Sequence, residues 1–200
     1  MDVKTAYEIP VIWIETLFFP GVFRRHGAAG KWSRLPVISV LLASFVAAAL
    51  DTFWYYSVSI QTRMEVLMSF LLYMGKNLLI LVSLWLVISL FLNMFAKMAG
   101  GRGKLRDLMY TIAFVCSGMK IALSFLFVLT AFTGREEAVL FVNLLFLSWF
   151  TFVTTEAVEV RYNMRRFPAL LVTLASVALV WFSYFVLFDI TYLTPWLPYF

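Results

Sequence analysis

From Leu35 onward, long apolar runs alternate with short turns rich in charge, glycine and proline. A helix that crosses a bilayer needs about 20 mostly apolar residues, because in hydrocarbon its backbone must satisfy its own hydrogen bonds. Five stretches meet that requirement. The first runs from Leu35 to Ser59 and opens with Pro36 in its first turn, where a missing N–H costs nothing. The second has an uncharged core from Asn77 to Ala96, and the apolar stretch Met64 to Gly75 precedes it. Together they predict a helix too long to cross upright. It must tilt, kink near Gly75–Lys76, or lay its first turns along the interface. The third stretch spans Leu108 to Phe132, the fourth Ala138 to Val160, and the fifth Pro168 to Tyr192, again with proline in the first turn. The expected architecture is an all-α membrane protein, a bundle of five transmembrane helices over residues 35–192.

The flanks read differently. Residues 1–34 hold a short apolar segment, Ile9 to Phe23, broken by Pro10 and Pro20 and followed by Arg24, Arg25, Lys31 and Arg34. Such a segment is expected to lie at the interface rather than to span, with its cations toward anionic lipid; an extended linker is the alternative. Asp2, Lys4, Glu8 and Glu15 interrupt the amino end, unlike a secretory signal, so the first span is expected to direct insertion. Residues 193–200 form an aromatic tail suited to an interface.

Composition supports lipid as the solvent. Apolar residues make up 63% of the chain and charged ones 14%, against about 45–50% and about 25% in soluble chains. The net charge of +5 therefore bears on membrane orientation and headgroups rather than on nucleic acid. Basic residues gather on one set of loops: Lys4, Arg24, Arg25, Lys31 and Arg34, then Lys97, Arg102, Lys104 and Arg106, then Arg161, Arg165 and Arg166. The other side has Arg63 and Arg135. Because basic loops stay in the cytosol, the N-terminus is expected inside and the C-terminus outside. Arg24, Arg25, Arg102, Lys104, Arg106, Arg165 and Arg166 are the candidate contacts to anionic headgroups or to a protein partner.

Ionisable side chains at membrane depth are costly and tend to face protein or a water cavity. At about 1.5 Å of rise per residue, Asp51 and Lys120 both lie roughly 20 Å from the cytoplasmic ends of their helices. Matched depth and opposite sign make them a candidate ion pair. The alternative is two separate groups, Lys120 snorkelling and Asp51 protonated or wetted. Lys76 and Asp189 fall at about 30 Å, where they read as interfacial anchors. Glu156 and Glu159 share a helix face near Arg161, which suggests a salt-bridge network at the cytoplasmic face. The run Gly100-Gly101-Arg102-Gly103-Lys104 lacks the spacing of a nucleotide-binding loop and is followed by Leu105 where Ser or Thr would stand; it reads as a tight, flexible turn. With one histidine, His26, and one cysteine, Cys116, the chain has little from which to build a His-based triad, a zinc site or a disulfide. Neither an enzymatic activity nor a cofactor is expected.

Three features resemble the Yip-domain family, the Ypt/Rab-GTPase-interacting membrane proteins. They are the five-span, N-inside arrangement, the entry Phe18-Phe19-Pro20-Gly21-Val22-Phe23, and the glycine-rich turn Gly100 to Asp107 followed by Tyr110. The similarity covers Glu15 to Tyr192, and the short amino end is similar to that of prokaryotic members. It implies a multi-pass protein of the cell membrane, or alternatively of an endomembrane, without an assigned activity. The leading functional expectation is a non-enzymatic bundle that organises membrane or partner proteins, with a protein partner or a homo-oligomer as its counterpart. Ser83, Ser89, Asn93, Ser124, Asn143, Ser148, Thr151, Thr154 and Thr155 are candidates to join helices. The alternative is a small transporter, channel or lipid-handling protein with Asp51, Lys120 and Glu156 along its path. A cavity at the intramembrane charges favours the latter, and a dry centre the former.

Overall fold

The computed structural model describes residues 3–18, 34–58, 63–131 and 136–192. They form α1 (Val3–Phe18), α2 (Leu35–Val58), α3 (Arg63–Met98), α4 (Leu105–Ala131), α5 (Glu136–Tyr162) and α6 (Arg166–Tyr192), with no strand among them. Four of these helices, α2 to α5, are long and apolar enough to cross a membrane. Helix α6, 27 residues long, occupies the fifth expected stretch, and its described portion Arg166–Val180 is apolar. Asp189 sits on α6, but its side chain and the tail 193–200 lie outside the described residues. Large apolar side chains such as Phe53, Leu79, Leu90, Phe125, Phe141 and Leu144 face outward. Apolar helices with an apolar exterior fit a multi-pass integral membrane protein.

Helix α3 is unbroken over 36 residues, about 54 Å of rise, against a hydrocarbon core of about 30 Å. It continues through Gly75 and Lys76 as regular helix. Only 22% of its apolar span is buried, against 56% for α4, although Phe70 in its first half still meets Phe45 of α2 edge-on at 5.3 Å.

Helix α4 is the centre of the molecule. It packs against α1, α2, α3 and α5, and residues 111–119 are buried without interruption. Two cores meet on it. One joins α3, α4, α5 and α6 through Leu92, Ile112, Val115, Val153, Ala157 and Val172. The other joins α1, α2, α3 and α4 through Ile9, Val40, Ala43, Leu81 and Phe114. Within lipid, apolar burial between helices gains little from water exclusion, so close van der Waals fit must supply the cohesion. Helix α2 meets that need with a stripe of small buried residues, Ser39, Ala43, Ser44, Ala47 and Ala48, which lets its backbone approach its neighbours.

Helix α1 corresponds to the expected interfacial segment but is not broken at Pro10, which lies inside it. Pro10 is on the exposed side, so the backbone bond it removes faces outward, where the freed carbonyl can be solvated. The opposite side docks on the bundle through Ile9, Trp13 and Thr16, spaced to share one helical face. Trp13 Nε1 donates to Ser39 Oγ on α2 at 2.7 Å. Residues 19–33, including Arg24 and Arg25, lie outside the described residues.

Candidate functional site

A partly open pocket of about 380 Å³ lies between α2, α3, α4 and α5, and Asp51, Lys76, Asn77, Lys120, Ser124 and Asn143 are the polar residues on its wall. Trp54, Tyr73 and Phe127 supply aromatic surface. Helical rise places this wall far from the Gly100–Lys104 loop. Lys120 is about 22 Å along α4 from Leu105, Asp51 about 24 Å along α2 from Leu35, and Lys76 about 33 Å along α3 from Met98. The pocket therefore occupies the half of the bundle opposite that loop.

The charges are organised around Asp51. Its Oδ2 accepts a hydrogen bond from Asn77 Nδ2 at 2.8 Å, and Lys120 lies within electrostatic range of both Asp51 and Lys76. The matched depth of Asp51 and Lys120 thus corresponds to a shared wall. Lys76, expected at an interface, faces the same space. Ser124 Oγ is buried with no hydrogen-bond partner among the described residues. Asn77 had no separate signal in the sequence: it sits at the start of an uncharged run, and only the crossing of α2 and α3 sets it against Asp51.

At the other end of the bundle the α3–α4 loop packs directly on the end of α5, beside an open pocket of about 410 Å³ lined by Pro36, Trp85, Leu105, Arg106 and Tyr110. Gly100 adopts a φ of 84° and accepts no ordinary side chain there without strain. Arg102 N donates to Tyr162 O at 3.2 Å, tying the α3–α4 loop to the end of α5. Gly101 and Gly103 are pressed against Tyr162, so these glycines make a close contact in addition to a turn. Tyr162 Oη donates to Asn93 Oδ1 at 2.6 Å. Arg161 Nε donates to Thr111 Oγ1 at 2.8 Å, and Asp107 is within electrostatic range of Arg161. Arg161 therefore reaches across to α4, while Glu156 and Glu159 stand half-buried on the preceding turns of α5. Arg102, Lys104, Arg106, Arg165 and Arg166 are all exposed at this end, and the Arg166 guanidinium lies 5.5 Å above the Phe152 ring.

Of the polar residues expected to join helices, Ser89, Ser124 and Thr154 are buried with no hydrogen-bond partner among the described residues. Asn93 does join helices, through Tyr162. Ser148, Thr151 and Thr155 instead donate to the carbonyl four residues earlier in α5, which satisfies a hydroxyl locally. The described residues contain no group of three or more His, Cys, Asp or Glu placed to hold a metal ion. Cys116 is buried in α4. No protein-family model, characterised protein or solved structure matches the chain.

Proposed function

We propose that this chain is a five-span membrane protein, amino end in the cytosol, that takes an amphipathic ligand into the pocket between α2, α3, α4 and α5. The observation that carries this reading is the pocket itself: three ionisable side chains from three apolar helices converge on one open space. Intramembrane charges are costly, and their usual use is to line a path or hold a ligand. The aromatic wall supplies surface for an apolar portion, and the charged wall fixes the polar end. Handling a lipid or similar molecule, by binding or by transfer between environments, is the activity this arrangement suits.

The test is to purify the protein gently from its own membrane and weigh it intact by native mass spectrometry. The expected result is a retained amphipathic molecule that is lost when Asn143→Trp fills the pocket. Indistinguishable spectra for the wild type and Asn143→Trp would defeat the reading.

A second reading, a Yip-domain-like bundle that organises membrane or partner proteins, is favoured by a different observation. At the Tyr162 end the α3–α4 loop is tied to the end of α5, and Arg102, Lys104, Arg106, Arg165 and Arg166 project from it. That basic end suits anionic headgroups or an acidic partner. Neutralising these five residues and leaving the pocket intact separates the two readings: loss of membrane-partner assembly with retained ligand belongs to the second alone.

A further inference from the structure

We propose that the polar group received by this pocket is a phosphate, held by Lys120 and Lys76 with Ser124 as a supporting donor. The inference rests on the pocket reading above and adds the chemistry of what enters. It begins from an imbalance of donors and acceptors. A lysine ammonium carries three donors and no acceptor, and two such groups line the wall. Asp51, the single carboxylate among the described lining residues, already accepts from Asn77. The Ser124 hydroxyl is buried without a partner among the described residues, a state that costs stability until something bonds to it. Among the described residues the wall therefore carries one net positive charge and unspent donors. An anionic acceptor completes it, and a cation would meet two like charges against one opposite.

The geometry favours phosphate over carboxylate. The donors come from different helices, Lys76 from α3 and Lys120 with Ser124 from α4, so they approach a bound group from more than one side. A tetrahedral phosphate has oxygens to offer in several directions, and lysine serves it as a point charge. A carboxylate has two oxygens in one plane. The volume of about 380 Å³ matches a headgroup-sized ligand. The phosphate has two possible sources, a membrane phospholipid or a soluble phosphate compound, and the chemistry of capture is the same for both.

The full chain, stripped of lipid in a neutral detergent, is titrated separately with dioleoylphosphatidylglycerol, dioleoylglycerol, oleate, dodecylamine and glycerol 3-phosphate. Binding is read as a saturable rise in unfolding temperature. Phosphatidylglycerol is expected to bind at least about tenfold more tightly than dioleoylglycerol or oleate, the loss typical of removing a charged hydrogen bond. Lys120→Met should weaken that binding by a similar factor. Lys76→Met, at an exposed position that tolerates substitution, should weaken it in the same direction and guards against a folding defect at Lys120. Asp51→Asn should keep or tighten binding, because it removes the one repulsive charge. Saturation by glycerol 3-phosphate as tight as by the lipid assigns a soluble source; saturation by the lipid alone assigns the membrane. Equal binding of dioleoylglycerol or oleate would overturn the phosphate assignment. So would tight binding of dodecylamine that Asp51→Asn abolishes. If such a ligand is still displaced by Asn143→Trp, the pocket reading survives without the phosphate. If nothing binds and Asn143→Trp changes nothing, both fall.

Discussion

At Gly103 the chain has space for a hydrogen and little more. A Cβ there would stand 2.5 Å from Arg161 O and 2.7 Å from two ring carbons of Tyr162. One of those neighbours is backbone, and the ring is anchored by its hydrogen bond to Asn93, so neither yields cheaply. Gly103→Ala is therefore expected to destabilise the protein by about 1–3 kcal/mol, the range for overpacking a closed contact. Gly75 provides the control. It lies inside α3 with no atom within 4 Å of a Cβ, and Gly75→Ala should raise stability by about 0.5–1 kcal/mol through helix propensity alone. Denaturant unfolding in micelles measures both, and a Gly103→Ala protein as stable as Gly75→Ala would refute the close-contact account. The glycine-rich run was legible as a turn because glycine marks turns locally. Its partner Tyr162 was not, since packing across two helices leaves no trace in the spacing of either. Asp51 and Lys120 show the opposite case: depth along a helix is a sequence quantity, so their shared level could be read. The identity of their neighbours Asn77 and Ser124 depends on helix rotation, which the sequence does not display.

Helices α2 and α4 were recognisable as apolar runs, but what distinguishes them from α3 is which faces meet. The stretches expected as spans fall on helices α2 through α6, and α2 to α5 are long and apolar enough to cross a membrane. Helix α1 was less legible: Pro10 suggested a break, whereas it is tolerated on an outward side. In α2 small residues make up most of the buried face, beside Leu35 and Val40, while Leu41, Phe45 and Phe53 face out. Ala47 is fully buried, whereas Leu41 is half exposed. Ala47→Leu is accordingly expected to cost about 1–3 kcal/mol by forcing α2 away from its neighbours. Leu41→Ala, a larger loss of apolar volume, should change stability by no more than about 0.5 kcal/mol, because lipid takes the place of the lost contacts. A water-soluble bundle with Leu41 shielded from solvent would reverse that order. Comparing the two variants' unfolding midpoints in micelles thus tests whether packing of small residues, rather than burial of large ones, holds this helix.

For the molecule as a whole, the cationic loops and the pocket lie at opposite ends of the same helices. The Tyr162 end gathers exposed arginines and lysines, and the far half holds Asp51, Lys76 and Lys120 around open space. If the basic end faces the cytosol, as the proposed topology requires, the pocket belongs to the outer half of the bilayer and draws its ligand from there. Side-specific labelling resolves this with little background, because the single cysteine, Cys116, is buried in α4 and should stay silent. Met64→Cys and Arg102→Cys would each introduce one exposed thiol, near the start of α3 and just beyond its end. In sealed right-side-out vesicles, a membrane-impermeant maleimide should modify the first and spare the second until the membrane is opened. Modification of both in sealed vesicles would mean that α3 does not cross. The reverse order would keep the crossing but invert the topology, placing the pocket in the inner half and its ligand supply on the cytosolic side.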